Sequence, residues 1–274
     1  PAQVSAKEAI MTIEVHKKDH IATIRFNRPE ARNAMDLEHV EALAKAWVDF
    51  REDPSMRVAI ITGVEKSFCA GADLGSLIPQ LTGSPDGVAG LLKGEIGEMF
   101  QAAMLRDFEL WKPVVAAVNG YCIAGGLEML CGMDIRIASE KAVFALQEVR
   151  WGLFPFGGST VRLPRELTHC KAMEVLLTGE KMDAREAHRI GLVNYVVPHE
   201  ELMATAERFA RRIAENGPVA VSAIKRSAIE CMSLPLKEAY EHELELATPV
   251  FQSEDAVEGP MAFMEKRKPA FKGK

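Results

Sequence analysis

The sequence predicts an α/β fold that gives way to an all-helical C-terminal region. Up to about residue 197, short apolar runs alternate with segments of helical period, the pattern of strands packed against helices. Beyond Val197-Pro198 only the helical period remains. Its 274 residues are enough for one large domain or for a core with an appendage. We therefore expect a core over 1–197 and a helical region over 198–274.

His20 to Phe26 alternates weakly and reads as a strand, closed by Asn27-Arg28-Pro29. Asp36 is placed to cap a helix that carries Leu37, Val40, Leu43, Ala44, Trp47 and Val48 on one face. Val58 to Thr62, ending at Gly63, reads as a buried strand, as do Val114 to Val118 and Ile135 to Ala138. Residues 75–90 hold four glycines and two prolines and are expected to form a mobile loop. In the C-terminal region Leu202, Ala206, Phe209 and Ile213 recur at helical spacing, and Gly217-Pro218 stops that helix. Two further helices are expected over 219–232 and 236–250, an appendage of three that must pack on the core or on another subunit.

Composition narrows the function classes. The chain is 48% hydrophobic and 26% charged, as ordinary globular proteins are. A net charge of -6 argues against a nucleic-acid surface. The basic tail, Lys266-Arg267-Lys268 with Lys272, is either a local phosphate site or a solvated end. Five scattered cysteines without C-x-x-C spacing suit free buried thiols in a reducing compartment, and so a cytoplasmic protein, better than disulfides or zinc. Pro1 to Ile10 has neither the apolar run of a signal peptide nor an Arg-rich pattern. Pro113 to Met133 has the length of a membrane span, but Asn119, Gly120, Gly125 and Gly126 divide it into a strand, a turn and a helix. No membrane association is expected. The histidines show no metal-binding spacing, and no Walker, dinucleotide or nucleophile-elbow motif is present.

Three segments could carry chemistry. Ser67 to Leu74 (SFCAGADL) places small residues after a strand, either as a tight packing turn or to present an unpaired N–H to an anion. In Asn119 to Glu128 (NGYCIAGGLE) a helix is expected to begin near Gly125, so its first N–H groups lack internal partners. Glu128 then lies within a turn of those donors, alone in apolar surroundings. It either complements the helix dipole or serves as a functional carboxylate, since a buried acid without a purpose is costly. The third segment sets Glu148 beside Trp151, Phe154 and Phe156, ahead of Gly157-Gly158. Glu148 is either an exposed loop acid or a carboxyl kept protonated by apolar neighbours.

Taken in this order, the segments resemble the enoyl-CoA hydratase/isomerase (crotonase) superfamily. The likeness begins at Asn27-Arg28-Pro29 and Asn33-Ala34-Met35, continues through Leu177 to Glu180, Ala184 to Ala187 and Gly191-Leu192-Val193, and ends in Phe263 to Lys268. The resemblance implies a crotonase-like spiral of ββα turns with a C-terminal helical oligomerisation region, assembled as a homotrimer or a hexamer of paired trimers. It implies an acyl-CoA substrate, with no separate cofactor because coenzyme A is part of that substrate. The thioester oxygen would be held by the N–H groups of Ala72 and Gly125, with Ala70 beside the adenine. Glu128 would take a proton from the attacking water and Glu148 would deliver one to C2, as in a hydratase of the fatty-acid β-oxidation type. Arg32, Gly71, Asp73, Leu74, Gly126, Trp151, Phe156, Phe263 and Lys266 would complete the substrate contacts.

This sequence departs from the family pattern in places. Gly75 and Glu30 stand where relatives carry basic residues, and Arg32 and Lys266 are the candidates to compensate. Phe156 replaces a small residue near the catalytic water, and Gln147 replaces a proline. An isomerase of the same fold, or a non-catalytic acyl-CoA-binding or scaffold protein, are the alternatives; retention of both acids favours a hydratase.

Overall fold

The computed structural model describes residues 12–83, 87–91 and 93–274; the expectation for Pro1 to Ile10 lies outside them. Among the described residues ten strands form two sheets. They are β1 (Ile13–Lys18), β2 (Ile21–Phe26), β3 (Val58–Gly63), β4 (Ser67–Cys69), β5 (Val114–Val118), β6 (Tyr121–Ile123), β7 (Ile135–Ser139), β8 (Val143–Ala145), β9 (Met182–Asp183) and β10 (Tyr195–Val197). The larger sheet runs β1-β2-β3-β5-β7-β10 and the smaller β4-β6-β8-β9. β3, β5 and β7 enter the larger sheet, and the strand after each enters the smaller one. The chain thus winds as a spiral, adding one strand to each sheet per turn. Apart from the antiparallel pairs at β1-β2 and β8-β9, neighbouring strands are parallel.

The apolar runs exist because the larger sheet is covered on both faces. Ala59, Ile61, Val114, Ala116 and Val118 point into the main core with Trp47 and Phe68. Their neighbours Val58, Ile60, Val115 and Ala117 point the other way, onto Leu202, Ala206, Ala210 and Ala214 of helix Leu202–Ala214. Asp36 caps helix Leu37–Glu52 by accepting from the His39 N–H at 3.0 Å. Asp134 accepts from the Val114 N–H at 2.7 Å and pairs with Lys225 at 2.8 Å, joining two strands to the helical region. Pro113 to Met133 is strand β5, strand β6 and helix Gly125–Leu130, and among the described residues no helix is long and apolar enough to cross a membrane.

Three expectations need correction. The segment 75–90 is not simply a loop: Leu77–Thr82 and Gly87–Leu91 are short helices. Burial of Leu77 against the core supplies what local propensity does not. The C-terminal region also holds a fourth helix, Glu254–Met264, despite Gly259 and Pro260 inside it. Buried Asp255 ties that helix to the chain end by accepting from the N–H groups of Lys272 at 2.7 Å and Gly273 at 2.9 Å. The cysteines are free, but only Cys69, Cys122 and Cys131 are buried; Cys170 is exposed and Cys231 half-buried.

Candidate active site

The SFCAGADL and NGYCIAGGLE turns meet through glycine. Gly71 has φ +92°, and a Cβ there would lie 2.7 Å from Ala124 Cβ and 3.0 Å from Gly125 N. Glycine permits both the backbone angle and the approach. Met35 pairs with this turn by donating to Gly71 O and accepting from Asp73 N, each at 2.8 Å. That pairing, a parallel bridge of Met35 to Ala72, turns the Ala72 N–H away from Met35. Gly125 opens helix Gly125–Leu130, so its N–H has no partner within the helix. Among the described residues neither N–H donates to a protein acceptor. A Cβ built on Gly125 would be 3.7 Å from Ala72 N, so the two free donors are close neighbours.

The turn bearing Ala72 is braced from below. Arg28 Nη1 donates to Asp73 Oδ2 at 2.9 Å and lies 3.2 Å from Asp36 Oδ2. Fully buried Asn33 donates to Ser67 O at 2.7 Å while its own Oδ1 accepts from Arg28 N at 2.9 Å. Neither brace was visible in the sequence, because Asp73 lies 45 positions from Arg28 and Ser67 lies 34 from Asn33.

Both glutamates reach one cavity of about 300 Å³, whose wall also includes Ala70, Ala72, Gly125 and Phe156. Glu128 is 4% exposed, and burial raises its pKa. Ser159 opposes this: its Oγ donates to Glu128 Oε1 at 2.8 Å and its backbone N–H at 3.3 Å. The Gly157 N–H and the charge of Arg106 act in the same direction as Ser159. Gly157 packs closely on this carboxylate: a Cβ would fall 2.9 Å from Glu128 Oε2 and 2.6 Å from Met104 Cε, and would displace those side-chain ends. At Glu148 the opposing donor is its own backbone N–H alone, and the shift is larger. Its Oε2 is buried without a partner among the described residues, and burial, with the Glu128 charge adding to it, pushes its pKa up to about 8. Burial raises both, but donors from Ser159 and Gly157 oppose the shift at Glu128, and Glu148 is the group that holds its proton near neutral pH.

This asymmetry has a stability consequence. Because Glu148 binds its proton more tightly folded than unfolded, it costs nothing below pH ~4.5. Stability falls as the pH rises from there to about 8, and the loss persists above that pH. Glu148→Gln should match the parent near pH 4 and exceed it at pH 9 by on the order of a few kcal/mol. Urea melts at the two pH values measure this; an equal difference at both would contradict the assignment.

The remaining predicted contacts divide. Leu74 and Trp151 stand with Phe156 in the cavity wall, Leu74 and Trp151 both largely exposed at its mouth. Gly71 lies behind Ala72 at the glycine contact. Gly126 faces away, since a Cβ there would meet Cys69 O at 2.4 Å. The Asp73 carboxylate is engaged by Arg28 and by the N–H groups of Gly75 and Ser76, outside the cavity wall. Arg32, Phe263 and Lys266 are exposed and do not line the cavity. Sequence reading missed Met35, Leu77, Ile78, Phe100 and Met104 in the wall and Ser159 at Glu128. Apolar residues of a core carry no local sign of which cavity they face.

Known proteins show which family the chain belongs to. The family model for enoyl-CoA hydratase/isomerase matches residues 16–274. The enoyl-CoA hydratase EchA19 of Mycobacterium tuberculosis is 41% identical over 260 residues, covering 95% of this chain and 96% of the relative. The (E)-benzylidenesuccinyl-CoA hydratase of Thauera aromatica is 37% identical over 271 residues, 96% of this chain and all of that protein. The crystal structure of an enoyl-CoA hydratase from M. tuberculosis H37Rv superposes with a TM-score of 0.86 at 35% identity, covering 97% of this chain and 100% of that one. With its spiral of ββα turns and near full-length matches, the chain belongs to the enoyl-CoA hydratase/isomerase family.

Proposed function

We propose that the protein is a hydro-lyase that adds water across the double bond of a trans-2-enoyl-CoA thioester. The observation that carries this reading is the convergence of two differentiated glutamates and two unpartnered N–H groups on one cavity. The reaction passes through an enolate, so negative charge gathers on the thioester oxygen. Donors fixed in advance at that oxygen strengthen their bonds as the charge forms. Ala72 N–H and Gly125 N–H are those donors. Glu128 accepts a proton from water as its oxygen bonds to C3, and Glu148 gives its proton to C2. An enzyme that only moved a double bond would need one such acid, so the retained pair favours hydration. The reaction needs no cofactor beyond the coenzyme A of the substrate.

The CoA moiety lies along Ala70, with Arg32 and Lys266 supplying charge for its phosphates, Lys266 from a neighbouring subunit. Assembly is the role we assign to the region 198–274, leaving catalysis to 1–197. From Pro218 to Phe251 the helices have no buried residue, while Ile224, Leu236, Leu244 and Phe251 are each at least 68% exposed. An apolar face of that extent is a subunit contact. Light scattering should give a mass of three or six protomers; a monomer at micromolar concentration would refute this assignment.

The hydration itself is tested by loss of enoyl absorbance with trans-2-enoyl-CoA esters, from crotonyl upward. Turnover supports the reading, and its absence at every chain length would defeat it. Because Glu148 must be protonated to act, the hydration rate should decline as the pH rises through about 8.

A further inference from the structure

We infer that the cavity selects an uncharged, apolar enoyl group larger than crotonyl, whether an alkyl chain or an aryl ring. This inference rests on the thioester chemistry proposed above. Beyond the two glutamates the wall is built largely from Met35, Leu77, Ile78, Phe100, Met104 and Phe156. Phe100 and Phe156 stack with centroids 5.0 Å apart and planes 16° from parallel. They give the cavity a flat aromatic side against which a chain or a ring can lie. Phe156, the residue that departs from the family's small one, thus forms a surface for the acyl group.

Charge is excluded by what the wall lacks and by what it holds. No lysine, arginine or histidine lines the cavity among the described residues. One side of it is made by Leu74, Leu77, Ile78, Thr82 and Val88, none of them basic. A carboxylate on the acyl group would be buried without a counter-ion. It would also enter the field of Glu128, which already helps to raise Glu148. An acyl ammonium fails for the opposite reason. Beside Glu148 it would favour the ionised carboxylate and so remove the proton that C2 must receive.

Apolar surface, in contrast, is rewarded. Each methylene transferred from water to such a wall is worth up to about fourfold in binding. Four added methylenes, from crotonyl to octenoyl, give up to about 10²-fold in kcat/KM.

The test compares kcat/KM, in the hydration or reverse direction, across crotonyl-, trans-2-octenoyl-, cinnamoyl-, glutaconyl- and 4-trimethylammonio-crotonyl-CoA esters. We expect octenoyl or cinnamoyl to exceed crotonyl by tenfold or more, and both charged esters to fall tenfold or more below it. The faster of the first two shows whether chain or ring fits better. Leu74→Arg, at a half-exposed position of the wall, should raise the glutaconyl-to-crotonyl ratio tenfold or more by supplying the missing cation. Crotonyl preferred over both larger neutral esters, or a charged ester equal to the best neutral one, overturns the inference while leaving the hydratase reading intact. No turnover of any ester would instead count against that reading.

Discussion

Replacing Glu128 by glutamine should lower the hydration rate by about 10²–10⁴, and Glu148→Gln by a similar factor. The expectation differs in detail for the two. At Glu128 the glutamine amide oxygen can still accept from Ser159 Oγ, which donates at 2.8 Å in the parent. The fold and the cavity shape are preserved, while the basicity needed to take a proton from water is gone. At Glu148 the lost group is a neutral acid whose buried Oε2 has no partner among the described residues. The amide cannot deliver a proton to C2, so loss of the acid should abolish the pH dependence that arises from it. Neither variant should change affinity for CoA itself by more than a few-fold, since neither side chain touches the nucleotide in this mechanism. Steady-state hydration assays with calorimetric CoA titrations separate the two effects. Full activity in either variant would remove that glutamate from the reaction.

How much of this could be read from the sequence depended on whether the information was local. Val114–Val118 has the bounds expected because burial on both faces leaves an unbroken apolar run. The Asp36 cap was legible because its hydrogen bond spans three residues. Helices Leu77–Thr82 and Glu254–Met264 were not, because glycine and proline give the opposite local signal. Their support comes from the core and from contacts such as Asp255 to Lys272 and Gly273. The site divides in the same way. Glu128 stood out as a lone acid in an apolar run, and Gly125 as a helix start. The hold of Ser159 on Glu128 crosses 31 positions, and the elevation of Glu148 requires that Glu128 be folded beside it. The difference between the acid and the base is thus a property of tertiary placement, which spacing alone does not encode.

Removing one of the two free N–H groups should cost about 10²–10³ in kcat/KM, and Gly125→Pro is the direct way to do so. Gly125 is the first residue of its helix, a position where proline is tolerated because the missing N–H has no helical acceptor. The substitution deletes the donor and sets a ring carbon where the hydrogen pointed, so both transition-state stabilisation and seating of the thioester oxygen suffer. A second variant leaves both N–H groups in place and moves them. In Gly71→Ala the methyl would lie 2.7 Å from Ala124 Cβ and 3.0 Å from Gly125 N, at a backbone angle of +92°. The turns must then separate, and the donors no longer converge on one oxygen. A bound chromophoric enoyl-CoA reports this independently of turnover: polarisation of its carbonyl by two donors shifts its absorbance to the red. That shift should shrink in both variants and persist in Glu128→Gln, where the donors are untouched. Thermal melts establish that the variants are folded. A folded Gly125→Pro with parental kcat/KM and an undiminished red shift would show that the oxygen is held elsewhere, and the enolate mechanism would lose its physical basis in this cavity.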